Sequence, residues 1–238
     1  MIALARYAET NVTIRAMRST LVSTAEFEAL SRAPTLGAAW SFMRKTAFGA
    51  SLPDVDWEHV HDAEQHIRHA TALQFHRAIR RLRGRPATVA TLLLSRWDLD
   101  NLQIALRTWR GRDVDQSHNG PVGHCAHKIP FDRIGNAQSI AEIVAALEGT
   151  PYAAPIAAAS TEYEKNQSMF AIELSLEKDF YARLIDATTA LGGADARDGM
   201  AILGAEIDLL NLAWIGRILR APQAPGLEIS DALIPGPS

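Results

Sequence analysis

Two stretches, Arg96–Arg107 (RWDLDNLQIALR) and Glu206–Arg217 (EIDLLNLAWIGR), decide how this chain is built. Five of their twelve aligned positions are identical: Asp98/Asp208, Leu99/Leu209, Asn101/Asn211, Leu102/Leu212 and Arg107/Arg217. Both space their apolar residues at steps of three and four, which marks one face of a helix. At 100° per residue, Leu94, Asp98, Leu102 and Ala105 fall within about 40° of one direction, with Asn101 about 60° to the side. An acid and an amide on an apolar face cost a few kcal/mol if left unpaired, so both need partners. Arg107 points about 180° away from Asp98 and cannot be that partner. The free backbone ends of neighbouring helices can be. A set that occurs twice reads as an internal brace, because a single catalytic carboxylate needs no second copy. The structural bracing set is therefore Asp98, Asn101 and Arg107, then Asp208, Asn211 and Arg217.

Upstream of each stretch the plan also repeats. Leu36, Trp40 and Met43 share one helical face, and Ile140, Val144 and Leu147 restate that spacing. Each set leads to a Thr followed two residues later by an aromatic, Thr46/Phe48 and Thr150/Tyr152. The offset is 110 at the Asp-x-x-Asn helices and 104 at the Thr-x-aromatic elements. Two echoes in one order point to a duplication with a small insertion. Helical periodicity predicts segments over about 1–22, 24–30, 36–48, 55–82 and 87–109, then 155–191 and 196–219. Thr24 is the expected cap of the second of these. Gly84-Arg85-Pro86 and Gly192-Gly193 break the long helices, and Gly111 to Gly123 reads as a linker. The expected fold is all-α: two tandem, pseudo-symmetric three-helix units over 1–112 and 113–221, with an irregular tail over 222–238.

Bulk properties exclude several classes. The chain has 238 residues, 47% of them hydrophobic and 21% charged, an ordinary globular balance. A formal net charge of -3 argues against a protein dedicated to nucleic acid. One cysteine, Cys125, leaves no internal disulfide and fits a reducing compartment. No run of 18 or more apolar residues suggests a membrane span, and the N-terminus lacks a signal-peptide pattern, so a cytoplasmic chain is expected. The phosphate-binding loop GxxxxGK[ST] is absent.

Three other clusters carry chemistry on paper. Asp62, His66 and His69 share one face of a helix with Leu73 and His76, a spacing that can hold a metal or simply meet solvent or a partner. The second half has no counterpart, and no metal is assigned. His124, Cys125 and His127 sit too close in sequence to face one metal without a wrapped loop, and no orienting acid accompanies the thiol. Arg77, Arg80, Arg81, Arg83 and Arg85 form the densest basic run. The run complements a helix dipole at its C-terminal end, and its first four members are candidates for contact with a partner or a membrane-bound ring.

Five segments in one order carry a resemblance: YAETNVTIRAMRSTLV, FMRKTAFGASLPDVD, LLLSRWDLDNLQIALRTWRGR, LEKDFYARL and GAEIDLLNLAWIGRIL. Together they resemble the C subunit of the V/A-type rotary ATPases, related to the d subunit of the eukaryotic vacuolar proton pump. The resemblance implies a non-catalytic central-stalk part without cofactor. It also implies a helical funnel on the membrane proteolipid ring that receives the D and F axle proteins during ion transport or ATP synthesis. Such a protein is cytoplasmic and peripheral on the membrane, with no span of its own and no nucleic-acid partner. The family is built of three units where this chain shows two, and the segment Gly226–Gly236 looks like the start of a third. A stand-alone helical adaptor is the alternative, and a metal-dependent helical enzyme the more distant one.

Overall fold

The computed structural model describes residues 2–52, 60–111, 126–220 and 229–236, and among them every regular element is helical. Their contacts divide into two compact units that meet in sequence at Arg83 and Gly84.

The first unit holds α1 (Ile2–Arg18), α2 (Thr24–Ser31), α3 (Leu36–Met43) and α4 (Val60–Ile79). The cap of α2 is Ser23, one residue before the expected Thr24: its hydroxyl accepts from the Glu26 amide while the Glu26 carboxylate accepts from the Ser23 amide. Trp40, Leu52, Ala63 and Ala70 form a small core. A turn of 3-10 helix, Gly49–Ser51, follows α3, and a Cβ at Gly49 would fall 1.9 Å from the Met43 carbonyl oxygen. Only glycine fits that approach.

The second unit holds α5 (Arg85–Arg110), α6 (Phe131–Asn136), α7 (Ile140–Ala146), α8 (Ala153–Asn166), α9 (Met169–Thr189), α10 (Gly193–Arg220) and α11 (Ile229–Ala232). Its core joins Leu99, Leu102 and Leu106 of α5 to Ile156 of α8, Ile172, Leu176 and Phe180 of α9, and Ile207 of α10. The single helix expected over 155–191 is two helices. Gln167 turns left-handed at φ 56 and caps α8, and the Ser168 hydroxyl accepts from the Phe170 amide to start α9. α9 and α10 run close enough that a Cβ on Gly199 would lie 2.7 Å from the buried Thr188 methyl. The short α6 was not foreseen, and α11 lies where an irregular tail was expected.

One local structure occurs twice at the same spacing. Thr35 caps α3 by accepting from the Ala38 amide, and 104 residues later Ser139 caps α7 by accepting from the Glu142 amide. Thr46 then donates to the Met43 carbonyl at 2.7 Å, as Thr150 does to Leu147 at 2.7 Å. Each of these hydroxyls also accepts a downstream amide, Gly49 at 3.1 Å and Tyr152 at 3.3 Å.

No stretch of membrane-spanning length was expected, but α10 is long and apolar enough over Gly193–Gly216 to cross one by length and composition. Leu203, Ile207, Trp214 and Ile218 along one side pack into the protein.

Candidate functional site

Asp98 lies in the middle of α5 with no exposed surface, on the apolar face set by Leu94, Leu99 and Leu102. Its carboxylate accepts four hydrogen bonds. Oδ1 takes the Ala126 amide at 2.7 Å, and Oδ2 takes the His127 amide at 2.9 Å, His127 Nδ1 at 2.9 Å and the Tyr152 hydroxyl at 3.0 Å. The His127 and Tyr152 rings meet edge to face at 5.6 Å. Burial, and then the adjacent Asp98 charge, push the Tyr152 phenol well above its ordinary range, so it stays a donor. Asn101, 1% exposed, is buried beside Asp98.

A second set joins α5 to α9. Glu173 and Glu177 lie one turn apart on α9, each nearly fully buried within an apolar stretch. Arg107 Nε donates to Glu173 at 2.7 Å, Arg96 donates to Glu177 at 2.6 Å, and the Gln103 amide donates to the other Glu177 oxygen at 3.0 Å. Arg96 also pairs with Asp100 and lies over the Phe180 ring at 5.7 Å. Bonding to Glu173 outweighs desolvation and holds the Arg107 guanidinium above its usual range. Burial opposes the charge on Arg96, but Glu177, with Asp100 and Tyr181, more than offsets it. Lower residue numbers on α5 meet higher numbers on α9, so the two helices run antiparallel.

The later copy of the motif is built differently. Asp208 is exposed and not buried like Asp98, so the expected equivalence fails at this position. Asn211 instead clamps the backbone of Ile234, accepting its amide at 2.8 Å and donating to its carbonyl at 2.9 Å. Ile234 is 1% exposed in the main core. The Arg217 side chain lies outside the described residues. Tyr181 on α9 donates to Glu206 on α10 at 2.8 Å, and burial first, then that bond, raise its phenol.

The basic run ends α4. Arg83 turns back to donate to the Arg80 and Leu82 carbonyls, and Arg81 pairs with Glu9 of α1 at 3.1 Å. Arg77, Arg80 and Arg81 line an open groove of about 500 Å³ against Ala8, Glu9, Val12 and Thr13. Among the described residues no three His, Cys, Asp or Glu side chains are grouped to hold a metal. His124 and Cys125 lie outside the described residues, and His127 serves Asp98.

Sequence reasoning missed Glu173, Glu177, Arg96 and Gln103. The available signal was a pair of acids at i, i+4 interleaved with Phe170, Ile172, Leu174, Leu176 and Phe180, where unpaired carboxylates cannot remain.

Comparison with known proteins bears on most of the chain. Residues 10–238 match the family described as ATP synthase (C/AC39) subunit. The A-type ATP synthase C subunit of Pyrococcus horikoshii is 25% identical over 97% of this chain and 60% of its own length. That of Haloferax volcanii is 26% identical over 87% of this chain and 60% of its own. That of Methanosphaera stadtmanae is 26% identical over 53% of this chain and 33% of its own. The chain thus spans at most about 60% of the length of these relatives.

Proposed function

Because the chain belongs to the ATP synthase (C/AC39) subunit family, a structural and non-catalytic part of a rotary ATPase, we propose that it couples the D/F axle to the membrane proteolipid ring in the central stalk. The observation that carries this reading is the family match over residues 10–238. The chemistry fits a passive mechanical part: the buried polar groups Asp98, Glu173 and Glu177 are engaged in holding segments together. Asp98 fixes the entry to α6 on α5, and the Arg–Glu ladder fixes α9 on α5. Both resist the bending and sliding that torque would impose.

The two Asp-x-x-Asn helices are braces of two units related by duplication, divided near 112. The paired caps and Thr bonds at an offset of 104 support this. On this reading the brace helix of the first unit packs with the helices that follow it, which accounts for the division of contacts at Arg83/Gly84. Arg77, Arg80 and Arg81, at the end of α4, are the contact for the ring or a partner, on a protein held peripherally at the cytoplasmic side of the membrane.

The test is reconstitution. Purified chain should co-purify with a D–F pair and bind proteolipid rings in detergent, while showing no ATP hydrolysis alone. If it binds neither, the coupling role is wrong.

A further inference from the structure

The open groove of about 500 Å³ between α1 and the end of α4 has charges that do not balance. Arg77, Arg80 and Arg81 line it against one acid, Glu9, which Arg81 already holds at 3.1 Å. Among the described residues Arg77 and Arg80 form no ion pair. The imbalance extends beyond the groove. Residues 1–83 carry 11 of the 24 Lys and Arg and 8 of the 27 Asp and Glu, a formal charge of +3 within a chain of -3. An occupant of the groove must therefore bring negative charge.

We propose that this groove takes the phosphate of an acidic phospholipid headgroup, so that the first unit rests on an anionic membrane surface. The four cations of residues 77–83 are all arginine, whose planar fork meets phosphate oxygens two at a time where lysine offers a point charge. Apolar groups adjoin them. Val12, 69% exposed, lines the same groove, and Leu73, 43% exposed, lies one turn before Arg77 on the same side of α4. Basic and apolar side chains on one surface are the composition that settles at the boundary of headgroups and acyl chains. A soluble acidic peptide would satisfy the arginines and leave Val12 and Leu73 in water. The family belongs to a membrane-associated ATPase, which brings such a surface within reach. In that respect the proposal rests on the central-stalk reading, and it narrows the partner of these arginines to lipid.

Flotation of the whole chain with vesicles tests this without other ATPase proteins. At low salt the chain should float with vesicles of mixed phosphatidylglycerol and phosphatidylcholine, stay behind with phosphatidylcholine alone, and detach as salt rises. Arg77→Gln with Arg80→Gln should weaken binding at least about tenfold at unchanged helical circular dichroism, since both side chains are exposed. Arg133→Gln with Arg197→Gln removes the same charge from exposed sites elsewhere and should change binding less than about twofold. Val12→Asp should weaken it by setting an acid beside the lipid phosphate. Equal binding to both kinds of vesicle, or equal loss in the two double variants, would overturn the proposal. Release by inorganic phosphate but not by chloride of equal ionic strength would also overturn it and assign the groove to free phosphate. So would a double variant at Arg77 and Arg80 that keeps its vesicles but loses detergent-solubilised proteolipid rings, which would assign the arginines to the ring protein. A chain that binds rings but no vesicles would refute the lipid contact and leave the coupling role standing. One that binds vesicles but neither rings nor a D–F pair would support the lipid contact and sink the coupling role.

Discussion

α5 and α10 carry the same five identical residues, yet the structure uses them in opposite ways. On α5 the acid is buried and binds the chain that follows it, 28 and 29 residues downstream. On α10 the acid is exposed and the amide does the holding, 23 residues downstream. Leu99 and Leu102 are fully buried while their counterparts Leu209 and Leu212 face outward. A pattern repeated within one chain therefore fixes a helix and its capacity to brace, not the depth at which the helix lies. Depth is set by what packs against it: α9 and α6 cover α5, whereas α9 and the short α11 cover one side of α10.

The sharpest way to break the comparison is to remove both acids in turn. Asp98→Ala should cost about 3–5 kcal/mol in urea denaturation, because two amides, an imidazole and a phenol lose one buried acceptor. Asp208→Ala should stay within about 0.5 kcal/mol, as an exposed site does. Equal losses would mean that the second acid is also a buried brace. Next in size, Arg96→Met should cost about 3 kcal/mol by stranding the buried Glu177, and Glu177→Gln in the same chain should recover part of it. Full additivity in that double-mutant cycle would remove the ladder from the stabilising contacts. Asn211→Ala should cost about 2 kcal/mol and speed proteolysis near Ile234 ahead of global unfolding, a local release that Asn101→Ala would not reproduce.

The smallest expected effect is alkaline. Tyr152 and Tyr181 have phenols raised above the ordinary value of 10.0 by burial and by bonds to Asp98 and Glu206. A raised folded value means stability is complete below about pH 10 and falls as pH rises, because only the unfolded chain ionises there. At about pH 11 each tyrosine should account for about 1 kcal/mol of lost stability. Tyr152→Phe and Tyr181→Phe should each flatten that slope in melting curves, whatever they do at neutral pH.

Much of this was legible in the residues. The helical class and the position of Asp98 and Asn101 on an apolar face follow from periodicity, and the family from the resemblance of five segments in one order. The partners of Asp98 were not legible: Ala126 and His127 adjoin a stretch read as linker, and no spacing rule ties a side chain to a backbone amide nearly thirty residues away. Tyr152 was noticed as half of a repeat, not as a hydrogen-bond donor. The α8–α9 break escaped because Asn166, Gln167 and Ser168 are compatible with a helix until Gln167 turns left-handed. Glu173 and Glu177 escaped because pairing across 66 and 81 residues depends on the fold itself. Asp208 misled for the converse reason, since local sequence cannot report that its side of α10 is exposed.

The ladder between α5 and α9 has uneven rungs. Its arginines are eleven residues apart on one helix, about 16 Å, while its glutamates are four apart on the other, about 6 Å. The two side chains therefore lean toward each other like opposed guy-ropes. Sliding α9 in either direction along α5 tightens one ion pair as it slackens the other, so the joint has a restoring force of either sign. A part loaded alternately by hydrolysis and by synthesis would need that indifference to direction.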